Sequence, residues 1–125
     1  MPGKKQKQPS WHDEVEADNF EAAESYLQLI YPVKRSATFV AALRRAKPGR
    51  FRAKDIFRAS QLSRLGISNL RVAKDRKKIK DGTPLSPILL VRDENHGKVV
   101  VADGYHRLCA VYEVNEDAWI PCRIV

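Results

Sequence analysis

The stretch of residues 98–114, KVVVADGYHRLCAVYEV, constrains the fold more than any other part of this sequence. Four apolar residues, 99–102, lead directly to a turn at Gly104, and apolar residues then recur at helical spacing from Leu108 onward. The pattern predicts a buried strand, a glycine turn and a helix that opens at about Tyr105.

A helix that begins directly after such a turn favours an anion, because its first backbone N–H groups are unpaired and its dipole is positive there. His106 and Arg107 lie in the first helical turn, and Arg107 adds a forked, charged donor suited to phosphate oxygens. We expect Arg107 to face a cleft rather than the core. A plain structural turn stays open as the alternative, because most junctions of this kind hold only water.

The order of segments around this turn resembles the ParB/sulfiredoxin superfamily. The resemblance rests on residues 86–91 (SPILLV), on the motif DGYHR at 103–107 with its helix, and on the closing strand 120–125 (IPCRIV). It covers roughly residues 70–125. It implies an α+β fold, a ParB/sulfiredoxin-like small mixed sheet with packed helices, here preceded by an N-terminal helical hairpin.

In that superfamily the loop binds nucleotide phosphates, so the resemblance implies that Gly104, Tyr105, His106 and Arg107 bind the ligand. Asp103, His106 and Arg107 would be the catalytic residues of a phosphotransfer or nucleotide hydrolysis step. The implied cofactor is a nucleoside triphosphate with magnesium, which Asp103 could help to hold unless it only bonds the backbone of its own turn. Tyr105 stands where sulfiredoxins carry their catalytic cysteine, so a sulfiredoxin reaction is not expected. Whether the protein is an enzyme stays open.

Positive charge is concentrated in the middle of the chain. The formal net charge is +8, yet residues 44–80 alone carry 14 Lys or Arg against two acids, whereas residues 11–30 carry six acids and no Lys or Arg. A block of this kind creates a local potential that attracts polyanions. We therefore name DNA as a partner for the block 44–80, with the acidic helix as a segment that could cover it.

The helix predicted for residues 70–80 carries the densest part of this block. Its candidate nucleic-acid contacts are Arg71, Lys74, Lys77 and Lys78. A solvated helix face, or contacts to the phosphates of a nucleotide near Gly104, are the other two interpretations. Aromatic residues do not interleave with these basic residues, so we do not expect this helix to stack on the nucleobases of a single strand.

We divide the chain into a disordered basic tail (1–9), a helical hairpin (10–50) and a ParB/sulfiredoxin-like domain (51–125), which together form one compact unit. Ser10 is the predicted N-cap of the first helix and Ser36 that of the second. The predicted buried faces are Phe20, Ala23, Leu27 and Ile30, and then Phe39, Val40, Leu43 and Ala46.

Turn and cap signals also predict the elements of residues 51–125. Residues 51–65 are ambiguous between an extended piece and short helical turns. Ser68 or Asn69 caps the next helix, which Gly82 ends, with Leu70, Val72, Ala73 and Ile79 inward. Strand 87–91 should be buried on both faces, a turn at 95–97 should follow it, and Trp119 should lie at the edge of the core.

Cys109 and Cys122 stand in apolar surroundings outside any C-x-x-C pair, and three scattered histidines give no metal spacing, so we expect buried, reduced thiols and no metal site. No apolar run has the length of a membrane span, and residues 1–10 lack the apolar segment of a signal peptide, which predicts a cytoplasmic protein with no membrane contact. Three functions stay open: the phosphate-binding domain, a basic nucleic-acid-binding accessory protein without catalysis, and a non-catalytic interaction protein that uses its hairpin.

Overall fold

Helices and strands are interspersed along the chain, and the computed structural model describes residues 8–66 and 68–125. The described residues form five α-helices and four β-strands in this order: α1 (Ala17–Leu27), α2 (Val33–Arg45), β1 (Gly49–Arg52), α3 (Ala53–Ser60), α4 (Leu70–Asp81), β2 (Ile88–Asp93), β3 (Lys98–Asp103), α5 (Tyr105–Val114) and β4 (Trp119–Ile124). The mixed α+β class and the helical hairpin that precedes the sheet are therefore confirmed.

The four strands form one mixed sheet in the order β1–β4–β2–β3. β2 and β3 are an antiparallel hairpin joined by a short 3-10 helix, Glu94–His96, and by Gly97 at a φ of 64°. β4 inserts between β1 and β2, antiparallel to β1 and parallel to β2. The last strand of the chain is thus an interior strand of the sheet.

Helices cover both faces of the sheet at β2 and β3, as the continuous apolar run of β2 predicts. Along β2, Ile88 and Leu90 pack against α3, α4 and α5, whereas Leu89 and Val91 pack against the α1–α2 hairpin. β3 alternates in the same way. Two hydrophobic clusters, one on each face, therefore hold the sheet.

The first helix begins later than we predicted. Residues 10–16 precede the helix and pair with the segment before β2, where Trp11 forms a parallel bridge with Leu85 and the Leu85 N–H donates to the Ser10 carbonyl at 2.8 Å. Ser10 is therefore not a cap, and α1 begins at Ala17. The indole of Trp11 packs against the core next to α4 and α5, a burial that a helical path would forgo.

The second helix also begins before its predicted cap. α2 opens at Val33, and Ser36 is buried in its first turn, where its hydroxyl donates to the Pro32 carbonyl at 3.1 Å. Pro32 supplies a suitable boundary because its ring fixes φ and it has no N–H to satisfy. Among the predicted inward residues Val40 and Leu43 are buried, Phe39 and Ala46 are half-buried, and Ile30 is exposed after α1 has ended.

The ambiguous segment resolves into β1 and α3, followed by an irregular stretch at 62–66. β1 crosses the boundary that we placed between residues 50 and 51. The caps of α4 are as predicted: the Asn69 side chain accepts from the amides of Arg71 and Val72, and Gly82 ends the helix at a φ of 75°. Leu70 is wrong as a core residue, because it is 86 % exposed at the start of that helix.

Both cysteines are buried and unlinked, as predicted. Burial raises the pKa of the Cys122 thiol to about 12, and burial also raises the pKa of Cys109. The tail residues 1–7 lie outside the described part of the chain. Within the part described, no helix combines the length and the apolar character that crossing a membrane requires.

Candidate functional site

The turn before α5 requires glycine. Gly104 has a φ of 109°, a left-handed conformation that other residues avoid, and a Cβ built there would lie 2.8 Å from Cγ1 of Ile88 and 2.9 Å from a guanidinium nitrogen of Arg107. This glycine therefore serves the backbone and the packing of the loop. A Gly104→Val variant would disturb the fold itself, so it is a poor test of ligand access.

The first turn of α5 leaves backbone donors available. The first intrahelical bond runs from the Leu108 N–H to the Gly104 carbonyl at 2.9 Å, and no side chain caps the helix. Among the described residues, the amides of Tyr105, His106 and Arg107 have no hydrogen-bond partner from a cap. These donors lie at the positive end of the helix dipole, where an anion is stabilised.

A cleft of about 440 Å³ opens in front of this helix end, within the usual size range of small-ligand sites. The residues of the loop, from Asp103 to Arg107, form one side of it, and α4 forms another. Arg71, Lys74 and Lys78 line the cleft from α4, at the spacing of a single helix face. None of these three cations forms an ion pair with a residue in the described part of the chain.

The structure thus divides the four predicted nucleic-acid contacts. Arg71, Lys74 and Lys78 face the cleft together with the predicted anion loop. Lys77 points elsewhere, since its side chain is largely exposed and pairs with Asp81 at 3.1 Å on its own helix. The neighbouring Arg76 is also engaged, with Glu113 of α5 at 2.9 Å.

Arg107 differs from our expectation. Its guanidinium donates to the Asp103 carboxylate at 2.8 Å, and the two side chains are only 16 % and 15 % exposed. Weaker bonds from the same nitrogen reach the Pro87 carbonyl and the Asn19 side chain. The nearby carboxylate is the best partner for a guanidinium in this poorly solvated position, so Arg107 fixes the loop from within and only its edge lines the cleft.

Asp103 is therefore neither a free carboxylate nor a residue that only bonds its own turn. Its charge is balanced by Arg107, and this balance leaves it poorly suited to bind a magnesium ion. The Nε of Arg107 is buried without a hydrogen-bond partner among the described residues, a cost that the bond to Asp103 must offset.

His106 and Asp75 both line the cleft, and each influences the pKa of the other. Burial and the neighbouring Arg71 lower the pKa of His106, so its imidazole is neutral at pH 7. Burial raises the pKa of Asp75, although Lys78 and Arg107 counteract that effect. The neutral imidazole can accept a proton, which is the property a general base needs.

Tyr105 contributes to the wall rather than to the charge of the cleft. Its hydroxyl donates to the Ser63 carbonyl, which ties the irregular stretch 62–66 to the first turn of α5. Its ring lies 5.5 Å from the ring of His106. Tyr105 therefore packs beside His106 and shapes one side of the cleft.

Sequence reasoning expected that the acidic first helix could cover part of the basic block, but it did not identify which of its residues reach the cleft. Glu16, Asp18 and Asn19 line it from the beginning of α1, and the buried Ser86 accepts a hydrogen bond from the Glu16 amide at 3.0 Å. These residues are about 90 positions from the loop in sequence, and no local pattern indicates that they meet it. The cleft therefore has a basic wall and an acidic rim.

Within the described residues, no group of three or more His, Cys, Asp or Glu side chains is arranged to hold a metal ion. Comparison of the chain with protein-family models, with curated proteins and with solved structures gave no match. Fold and cleft together define an α+β protein with a polar cleft at the N-terminus of α5.

Proposed function

We propose that this protein binds the phosphate groups of a nucleotide, or of a similar phosphorylated ligand, in the cleft between α4 and the N-terminus of α5. The observation that carries the proposal is the convergence of Arg71, Lys74 and Lys78 on the uncapped first turn of α5. Charged side chains and backbone amides on opposite walls can contact different oxygens of one phosphate chain.

The resemblance of the DGYHR motif to phosphate-binding loops of the ParB/sulfiredoxin type supports the same function. The role of each residue changes, however. The cations of α4 supply the charge for the ligand, the amides of residues 105–107 supply hydrogen bonds, and Arg107 with Asp103 keeps the loop in shape.

A nucleoside triphosphate with magnesium is compatible with the carboxylates that line the cleft. Magnesium keeps several waters and is usually held by phosphate oxygens with one or two carboxylates, so a large carboxylate cluster is not needed. Glu16, Asp18 and Asp75 are the carboxylates on the cleft that no strong ion pair with Arg or Lys occupies within the described residues. The metal would neutralise phosphate charge near this acidic side.

A phosphotransfer or hydrolysis step is the reaction that such a site could perform, because positioning and electrostatic stabilisation dominate that chemistry. His106 is the residue best placed to exchange a proton with the ligand, since its imidazole lines the cleft and its pKa is lowered by burial and Arg71 before an anion binds. In this assignment Asp103 and Arg107 act as positioning residues.

The test is a titration of the protein with ATP, CTP, GTP and inorganic phosphate, with and without magnesium, followed by thermal stability and calorimetry. A ligand that binds only the folded state raises its stability in proportion to the logarithm of the ligand concentration. A Lys74→Gln/Lys78→Gln variant should bind the best of these ligands roughly tenfold more weakly, the scale of lost charge-assisted hydrogen bonds at a partly exposed site.

The matched control is Lys77→Gln/Lys80→Gln, which removes the same charge from the same helix outside the cleft lining. It should bind with nearly wild-type affinity. Equal losses in both variants would reduce the effect to general electrostatics and contradict the proposed site. No stabilisation by any of these ligands would favour an interaction protein instead, for which Leu29, Ile30 and Val33 form an exposed apolar patch at the α1–α2 turn.

A further inference from the structure

The central block of positive charge does not form one surface. Part of it lines the cleft, as described above. A separate part comprises residues 44–52, RRAKPGRFR, which carry five Lys or Arg and no acid. None of these five cations forms an ion pair within the described residues, so their charge is available to a partner.

Strand pairing places an aromatic residue beside two of these cations. Arg52 of β1 lies opposite Trp119 of β4, and Arg50 lies opposite Pro121. Both guanidinium groups approach the indole, with their carbon atoms 4.4 Å (Arg50) and 4.1 Å (Arg52) from the ring centroid. These are close cation–π contacts, and they hold two flexible side chains against one flat ring.

This side of β1 and β4 is open. Ile120 and Cys122 of β4 point toward α3, α4 and α5, so Trp119 points to the opposite face. The hairpin covers that face over β2 and β3, and among the described residues its buried cluster includes nothing from β1 or β4. Trp119 is 43 % exposed as a result.

One acidic residue beside this surface, Asp117, is already engaged. The Asp117 carboxylate pairs with Lys54 at 2.6 Å, and the Asp117 carbonyl accepts from Arg52 at 2.7 Å. The second contact fixes the Arg52 fork beside Trp119. The surface therefore presents a partly exposed indole with oriented guanidinium groups, and Lys54 neutralises the Asp117 carboxylate beside it.

We propose that the surface formed by Trp119, Arg50 and Arg52, with the cations Arg45 and Lys47 that precede β1 in the chain, binds single-stranded nucleic acid. A base would stack on the indole or on a guanidinium that lies against it, and the surrounding cations would contact the phosphates on either side. A duplex offers phosphates but hides the faces of its bases, so the exposed aromatic favours a single strand. The sequence conceals this arrangement, because Trp119 is more than sixty positions from β1.

The proposal is independent of the cleft, which none of these residues lines. The probe is a fluorescently labelled oligothymidylate, with a duplex of equal phosphate number and heparin as comparison polyanions. The chain has two tryptophans, so a Trp11→Phe variant makes Trp119 the sole reporter of stacking by its fluorescence. We expect the single strand to quench Trp119 and to bind more tightly than the duplex.

Three variants separate stacking from charge. Trp119→Leu should weaken binding about tenfold, the lower part of the range for loss of one stacked base, while Trp119→Phe should retain most of the affinity. Arg50→Gln/Arg52→Gln should weaken binding and reduce the slope of log affinity against log salt by about 1.4, the value for two lost phosphate contacts on a single strand. Arg92→Gln/Lys98→Gln, a charge-matched control at the far end of the β2–β3 hairpin, should bind nearly as the wild type does.

Circular dichroism and thermal melts establish that each variant is folded. If Trp119→Leu does not fold, the quenching of Trp119 and the Arg50→Gln/Arg52→Gln variant still decide between the outcomes. Equal binding of single strand, duplex and heparin without quenching of Trp119 would overturn the proposal. So would equal losses in the Arg50→Gln/Arg52→Gln variant and its control.

Discussion

Arg107 stabilises the loop between β3 and α5 through its side chain. Its ion pair with Asp103 joins the end of the strand to the first turn of the helix, and both partners are largely shielded from water. The charge of one partner is therefore costly without the other.

We predict that Arg107→Ala lowers the free energy of unfolding by about 2 kcal/mol, less than for a fully buried pair because both side chains keep some exposure. Urea unfolding followed by circular dichroism measures this change in the free energy of unfolding. Arg71→Ala, which truncates an exposed cation of the same cleft, should change stability by less than about 0.5 kcal/mol. Unchanged stability of Arg107→Ala would mean that the pair contributes nothing and would return Arg107 to the role of a ligand contact.

His106 gives the cleft a dependence on pH. Its pKa is lowered in the free protein by burial and by Arg71. An anion bound beside it favours the protonated imidazole and raises that pKa again, so the complex takes up a proton. Anion affinity should consequently increase as the pH falls from about 7.5 toward the range below the usual histidine value of about 6.5.

Sulfate is the appropriate probe for this effect because its own charge is constant over the range. Calorimetric titrations at several pH values should show tighter binding at lower pH for the wild type, and a His106→Asn variant should show a nearly flat profile. Identical profiles for the two proteins would remove His106 from the anion site.

Among the secondary-structure elements, the N-terminal cap of α4 affects both the stability of the protein and the position of a ligand-binding residue. Asn69 accepts hydrogen bonds from two first-turn amides, one of which belongs to Arg71. We predict that Asn69→Ala destabilises the protein by about 1 kcal/mol, the usual cost of losing such a cap. It should also weaken phosphate binding, because the turn that positions Arg71 frays.

Asn69→Asp is the matched control, since its carboxylate accepts the same bonds and suits the helix dipole. Chemical denaturation and the phosphate titration together check both effects. An Asn69→Ala protein with wild-type stability would show that packing of Val72 and Ile79 alone fixes the start of α4.

The boundaries of the elements show which parts of the fold can be predicted from sequence. Asn69 and Gly82 act on their own helix, so local chemistry was sufficient to place both ends of α4. The start of α1 depends instead on the pairing of Trp11 with Leu85, a contact between distant segments. No period or cap signal contains that information, and the prediction at Ser10 failed for this reason.

The same distinction between local sequence signals and contacts of distant segments applies to the whole molecule. The strand, the glycine turn and the helix at 99–114 could be predicted because apolar period and turn chemistry agree there. The two basic surfaces could not be separated from the sequence, since their positions depend on how α4 packs on α5 and on which strand lies beside β1. The acidic rim from α1 and the exposed face of Trp119 likewise exist only after the layers have assembled.

The interior position of β4 also sets an order of events during synthesis. β1 pairs with no strand but β4 among the described residues, and the paired positions are separated by more than half of the chain. While the ribosome is still making the middle of the protein, β1 has no neighbour, and β2 can pair only with β3. The sheet can close only after the segment Trp119–Ile124 has left the exit tunnel, so we expect the nascent chain to keep its most basic strand unpaired until that segment has emerged.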